Sequence, residues 1–161
     1  ASGAARGSLY HHFPGGKEEI GAAAVTSAGG LVTETFAELA KQAYDPADFL
    51  RRYVALLVQW LEASKFRDGC PITTTLLETT PESALIAAAG QAVFADWRRV
   101  MEGLLARHGW PDERVAPTAT AIIAGLEGAL MLARVQGSAQ PVHDTAEALC
   151  LMLEGRLPVA R

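Results

Sequence analysis

The run Gly3-Ala4-Ala5-Arg6-Gly7-Ser8-Leu9-Tyr10-His11-His12-Phe13, continued by Pro14-Gly15-Gly16-Lys17-Glu18-Glu19-Ile20, decides how the rest of the chain is read. It spells a turn, a short helix, a tight loop and the opening of a long helix. Leu9 and Phe13, at i and i+4, anchor one face of the short helix, while Arg6, Ser8, Tyr10, His11 and His12 point away from it. That outward mixture of guanidinium, hydroxyl and aromatic groups is suited to phosphate oxygens and base edges. Gly7 leaves room for close approach, although glycine costs about 1 kcal/mol inside a helix. No acid precedes Glu18, so Arg6 and Lys17 set up a local positive field within a chain of net charge −4. An aromatic patch closing a helical corner is the competing reading of Tyr10 to Phe13. His11 and His12 are adjacent, hence about 100° apart on a helix, with no cysteine or carboxylate at ligand spacing, so no metal is expected.

Taken together, these residues resemble the recognition helix and following helix of the TetR family of transcriptional repressors. Members carry a Thr/Ser-Leu-Tyr-x-x-Phe run and then a Lys-Glu-Glu-Leu-like helix start, matched here by Ser8 to Phe13 and Lys17 to Ile20. The double glycine before Lys17 is similar to the LmrA/YxaF-like subgroup. The resemblance implies phosphate contacts for Tyr10, His11 and Lys17, and base or groove contacts for Ala5, Arg6, Gly7 and Ser8, with His12 beside them. A lysine next to the free N–H groups of a helix start also suits phosphate on physical grounds. A helix-turn-helix needs a first helix to cross the backbone, and none precedes this run. The expected organisation is therefore all-α, with residues 1–20 the C-terminal part of a DNA-binding domain and 21–161 a helical ligand-binding and dimerisation domain.

The 161 residues are 50% hydrophobic, enough for one large core, and an acidic balance confines any polyanion contact to a small patch such as the opening run. Charge interrupts the apolar runs before they reach about 20 residues, so no membrane span or secretory leader is expected. Cys70 and Cys150 stand alone, which fits reduced thiols and a cytoplasmic protein.

Helical punctuation fills the remainder. A helix is expected over 17–42, with Ile20, Ala24, Leu31, Phe36 and Leu39 as its apolar stripe and Gly29-Gly30 as a bend. Phe49, Tyr53, Leu56 and Trp60, beside Leu50, Val54, Leu57 and Leu61, make two apolar rows and so a central helix over 48–66. Cys70-Pro71 caps a short helix over 72–78, and Thr80-Pro81-Glu82 opens another that runs to His108 before Gly109. The last two helices are expected over 117–136, stopped by Gly137, and 144–154, begun by Asp144-x-x-Glu147.

These last two helices carry little charge on any side. Ala121, Ile122, Ile123, Leu126, Ala129, Leu130, Met131 and Leu132 lie on one; Ala148, Leu149, Leu151, Met152 and Leu153 lie on the other. Two such pairs would form a four-helix homodimer interface, as in the family, whereas a covered core hairpin is the plainer alternative. A symmetric dimer would set its recognition helices about 34–36 Å apart, one turn of B-DNA, or a multiple of it.

The resemblance also implies a pocket for a small-molecule effector, whose occupation releases the repressor from operator DNA. Tyr53, Trp60, Phe94 and Trp97 lie near Ala88, Ala89, Gly90 and Ala95 and suit its walls, although core packing explains the rings equally well. Gln59, Thr75, Glu78 and Glu127 are the candidate polar groups. No nucleophile elbow, phosphate loop or zinc-protease motif occurs, and no glutamate is followed three residues later by histidine, so no enzyme and no cofactor is expected. Cys70 at a helix start is the remaining reactive candidate, since that position lowers a thiol pKa. The other class in play is a helical dimeric ligand-binding or scaffold protein without a DNA role.

Overall fold

Proline, glycine and short polar caps cut residues 12–155, the part described in the computed structural model, into six helices with no strand among them. They are α1 (Gly16–Gln42), α2 (Pro46–Ala63), α3 (Pro71–Thr79), α4 (Ala84–Arg107), α5 (Asp112–Gln136) and α6 (Gln140–Leu153). Asp45 caps α2 by accepting the Asp48 N–H at 2.7 Å. The Cys70 sulfur plays the same part for α3, 3.5 Å from the Thr73 nitrogen. Gly109 and Gly137 end α4 and α5 with φ of 75° and 62°, the left-handed conformation that glycine adopts without steric cost.

Four boundaries differ from the sequence reading. Helix α2 stops at Ala63, because Lys65 and Phe66 take φ of 54° and 58° and the Phe66 N–H reaches back to the Leu61 carbonyl at 2.7 Å. This is a Schellman closure made without glycine, its half-buried Phe66 packed on the core. Helix α4 is capped by the buried Ser83, leaving Thr80, Pro81 and Glu82 in the preceding turn. Pro117 lies within α5, which starts five residues before it at Asp112. Helix α6 starts at Gln140 with Pro141 in its first turn, so Asp144 is interior and takes a hydrogen bond from the Gln140 side-chain amide at 2.7 Å.

Helix α1 packs most extensively along α4. Its inward face is Val25, Gly29, Phe36 and Ala40; Ala24 and Leu31, expected on the stripe, are exposed, Leu31 by 65%. Gly29 faces α4 instead: a Cβ there would sit 2.3 Å from a Val93 methyl, so the helices pack too closely for a side chain, and α1 runs unbroken through Gly29-Gly30. Of the two rows of α2, Phe49, Leu50, Tyr53, Val54, Leu57 and Leu61 are buried, Leu56 is half-buried, and Trp60 is 48% exposed. Phe36 lies at the centre of an aromatic cluster, with ring centroids 5.5 Å from Phe49, 4.6 Å from Tyr53 and 5.9 Å from Trp97.

On α5, Ile122, Leu126, Ala129 and Leu130 turn into this core rather than outward. The outer side retains Ala121, Ala124, Met131, Leu132 and Val135, exposed on one flank of the helix. By length and composition alone α5 is apolar enough to cross a membrane, with mean hydropathy 1.6 over its most apolar window. Its packing against α4 and α6 buries a third of that window.

Candidate functional site

The N-terminal corner is visible from His12 onward; Ala5, Arg6, Gly7, Ser8, Tyr10 and His11 lie outside the described residues. His12 and Lys17 are both exposed. Between them the chain turns tightly: the Gly16 N–H donates to the Phe13 carbonyl at 2.9 Å, and Gly16 holds φ 71°. The Gly15 N–H donates to the Glu19 carboxylate at 2.6 Å, so a side chain supplies a partner that the glycine N-cap lacks. The double glycine thus places Lys17 in the first turn of α1, where its ammonium and the helix-start N–H groups favour an anion together.

Glu18, next along, ties this corner to α4. Ser83 Oγ donates to its carboxylate at 2.9 Å while accepting the Ile86 N–H at 3.4 Å. Two more polar ties join the same helices further on. Trp97 Nε1 donates to the Gly29 carbonyl at 3.2 Å, and an Arg107 Nη donates to the Ala40 carbonyl at 2.9 Å.

A cavity of ≈160 Å³ opens between α1, α2, the α2–α3 loop, α4 and α5, and Tyr53, Trp60, Trp97 and Glu127 all line it. Four of the five expected pocket residues therefore meet. Phe94 does not join them: it lines a separate groove of ≈530 Å³ between α3, α4 and α5. Glu127 stands between the two spaces and contributes to both. One of its carboxylate oxygens accepts the Thr73 hydroxyl at 2.6 Å. Burial holds the Glu127 carboxyl above the usual carboxylate range, against the opposing pull of hydrogen bonds from Thr73 and Cys70. Burial likewise pushes the Tyr53 phenol well up, with the Glu127 charge adding to it.

Of the other polar candidates, Gln59, Thr75 and Glu78 do not line the cavity. Thr73 and Cys70 were missed as partners of Glu127, because no spacing rule links residues more than fifty positions apart. The low-pKa reading of Cys70 is overturned. Its thiol is shifted upward, chiefly by burial and then by Glu127, and this outweighs the stabilising Thr73 N–H at the helix start. Among the described residues no group of three or more His, Cys, Asp or Glu side chains gathers to hold a metal.

A family model described as the C-terminal domain of LmrA/YxaF-like transcriptional regulators matches residues 46–148. The chain is 28% identical to the HTH-type transcriptional regulator LmrA of Bacillus subtilis (strain 168), aligning 88% of this chain with 75% of that protein. It is 33% identical to the uncharacterized HTH-type transcriptional regulator MT0206 of Mycobacterium tuberculosis, aligning 98% of this chain with 81% of that one. The regulatory protein TetR from Rhodobacter sphaeroides shares the fold, with a TM-score of 0.74, 24% identity and coverage of 91% of this chain and 80% of its own. Regulators of this type are not enzymes; they bind operator DNA, typically dimerise and are generally cytoplasmic. On the family match and the all-helical architecture together, the chain belongs to the TetR family of DNA-binding transcriptional regulators, in its LmrA/YxaF-like branch.

Proposed function

We propose that this regulator is a cytoplasmic repressor that leaves its operator when a small molecule fills the cavity beside Glu127. Residues 1–20 supply the DNA-facing part, with Ala5, Arg6, Gly7 and Ser8 at bases or groove, His12 beside them, and Tyr10, His11 and Lys17 at phosphates. Residues 21–161 hold the effector and the partner subunit. The observation that carries the reading is the Trp97 bond: a ring that walls the cavity donates to the Gly29 carbonyl, midway along the helix whose first turn bears Lys17. A ligand weakens DNA binding only through unequal affinity for the DNA-competent and incompetent states. Displacing Trp97 provides such a difference, because the indole cannot shift without straining α1 or breaking that bond. The exposed apolar flank of α5, with α6 beside it, supports a homodimer through these two helices.

The test is selection of duplexes by the full-length polypeptide, followed by a compound screen for release. Enrichment of a two-fold-symmetric site and its release by a compound that shields the half-exposed Trp60 from solvent and shifts the indole N–H resonance of the buried Trp97 are expected. If no duplex is enriched over random competitor at low salt, the proposed contacts are wrong. If release occurs with the cavity empty, the effector site lies elsewhere.

A further inference from the structure

Resting on the reading of this cavity as the effector site, we infer that it takes a small aromatic cation, a single ring bearing an ammonium group, with Glu127 as its counter-charge. Size sets the first limit. At ≈160 Å³ the cavity is close to the engineered cavity of about 150 Å³ that accommodates benzene, which leaves room for one ring and a compact substituent.

Charge sets the second. The acids lining the cavity are Asp68, at the loop before α3, and Glu127; no lysine, arginine or histidine lines it. Glu127 receives hydrogen bonds from the neutral Thr73 hydroxyl and Cys70 thiol, which orient the carboxyl without cancelling its charge. Arg98, in the adjoining groove, is engaged with Glu102 at 3.1 Å. Arg134 lies beside Gly69, where a Cβ would be 3.9 Å from its guanidinium, and is not among the cavity's lining. A carboxyl buried without a counter-ion is costly to ionise, and a ligand ammonium supplies the missing charge. Tyr53, Trp60 and Trp97 give the cavity an aromatic lining, the kind of surroundings in which such a cation is stabilised.

The full chain is titrated with benzyltrimethylammonium and, separately, with 2,2-dimethylpropylbenzene, an uncharged molecule of the same shape. Binding is followed by the indole N–H resonances of Trp60 and Trp97, with Trp110 as the reference outside the cavity. The cation is expected to shift both indoles and to bind at least about tenfold more tightly than its neutral counterpart. Glu127→Gln is expected to lower the ratio of cation to neutral affinity at least about tenfold. A purely apolar cavity would favour the neutral molecule. Equal or tighter neutral binding therefore overturns the cation assignment and leaves the cavity standing as a ligand site. If neither molecule moves the indoles, both readings fall. Should Glu127→Gln not fold, the comparison of the two molecules in the unsubstituted chain still decides.

Discussion

Gly29 and Gly30 are neighbours with opposite environments. A methyl group at Gly29 would lie 2.3 and 2.5 Å from the two Val93 methyls, while one at Gly30 would meet nothing within 4 Å. Gly29→Ala is therefore expected to destabilise the fold by about 1–3 kcal/mol through overpacking. Gly30→Ala should stabilise it by up to about 1 kcal/mol, from helix propensity alone. Urea unfolding of the two variants checks the opposite signs. Lys17 is read out on DNA instead: with its side chain exposed in the first turn of α1, Lys17→Ala in the full-length protein should weaken all duplexes alike and lower the salt slope by about one unit. Sequence-selective weakening would assign it to bases. Glu127 supplies a pH signature. Its folded-state pKa is raised, so its contribution to stability is complete below the unfolded value of about 4.3 and is lost as pH rises through the folded value. The unfolding midpoint should fall over that window in the native chain and fall less in Glu127→Gln; parallel curves would mean that the carboxyl titrates normally.

At the scale of elements, Ser83 joins a helix end to a neighbouring helix. It caps α4 and holds Glu18 of α1, so Ser83→Ala is expected to cost about 1–2 kcal/mol, and amide exchange should speed up in the first turn of α1. A loss confined to the first turn of α4 would show that the Glu18 bond does not hold α1. The same residue marks where local reading stops. Cys70-Pro71, Gly109 and Gly137 were legible as boundaries because each acts on its own stretch of chain, through a side-chain cap and proline ring or a left-handed glycine. Thr80-Pro81-Glu82 and Asp144-x-x-Glu147 carry start signals of comparable strength, yet those helices begin elsewhere. Ser83 is buried against α1, and Pro141 and Val142 are buried where α6 packs against α2 and α5, so tertiary contacts outweighed local preference.

For the whole molecule, the outer flank of α5 groups several exposed apolar side chains on one helix face, with Met131 59% and Val135 82% exposed. Charges placed there do not enter the subunit core. Met131→Glu with Val135→Glu should therefore leave helicity intact and shift sedimentation from dimer to monomer, since like charges would face each other across a two-fold axis. An unchanged dimer would place the interface elsewhere.

Residue type and spacing determined the all-helical class, the central position of α2, and the Ser8 to Ile20 resemblance that led to the family, because helix periodicity and motif chemistry are local properties. They also singled out Tyr53, Trp60, Trp97 and Glu127, which line one cavity. Only the packed chain decided that Phe94 faces a different groove, that Leu31 is exposed while Gly29 is buried, and that Thr73 and Cys70 meet Glu127. Those outcomes depend on which face of each helix meets which neighbour. Close packing of α1 on α4, tightest to a methyl at Gly21 and Gly29, is one such meeting of faces, and no residue's own preferences encode it.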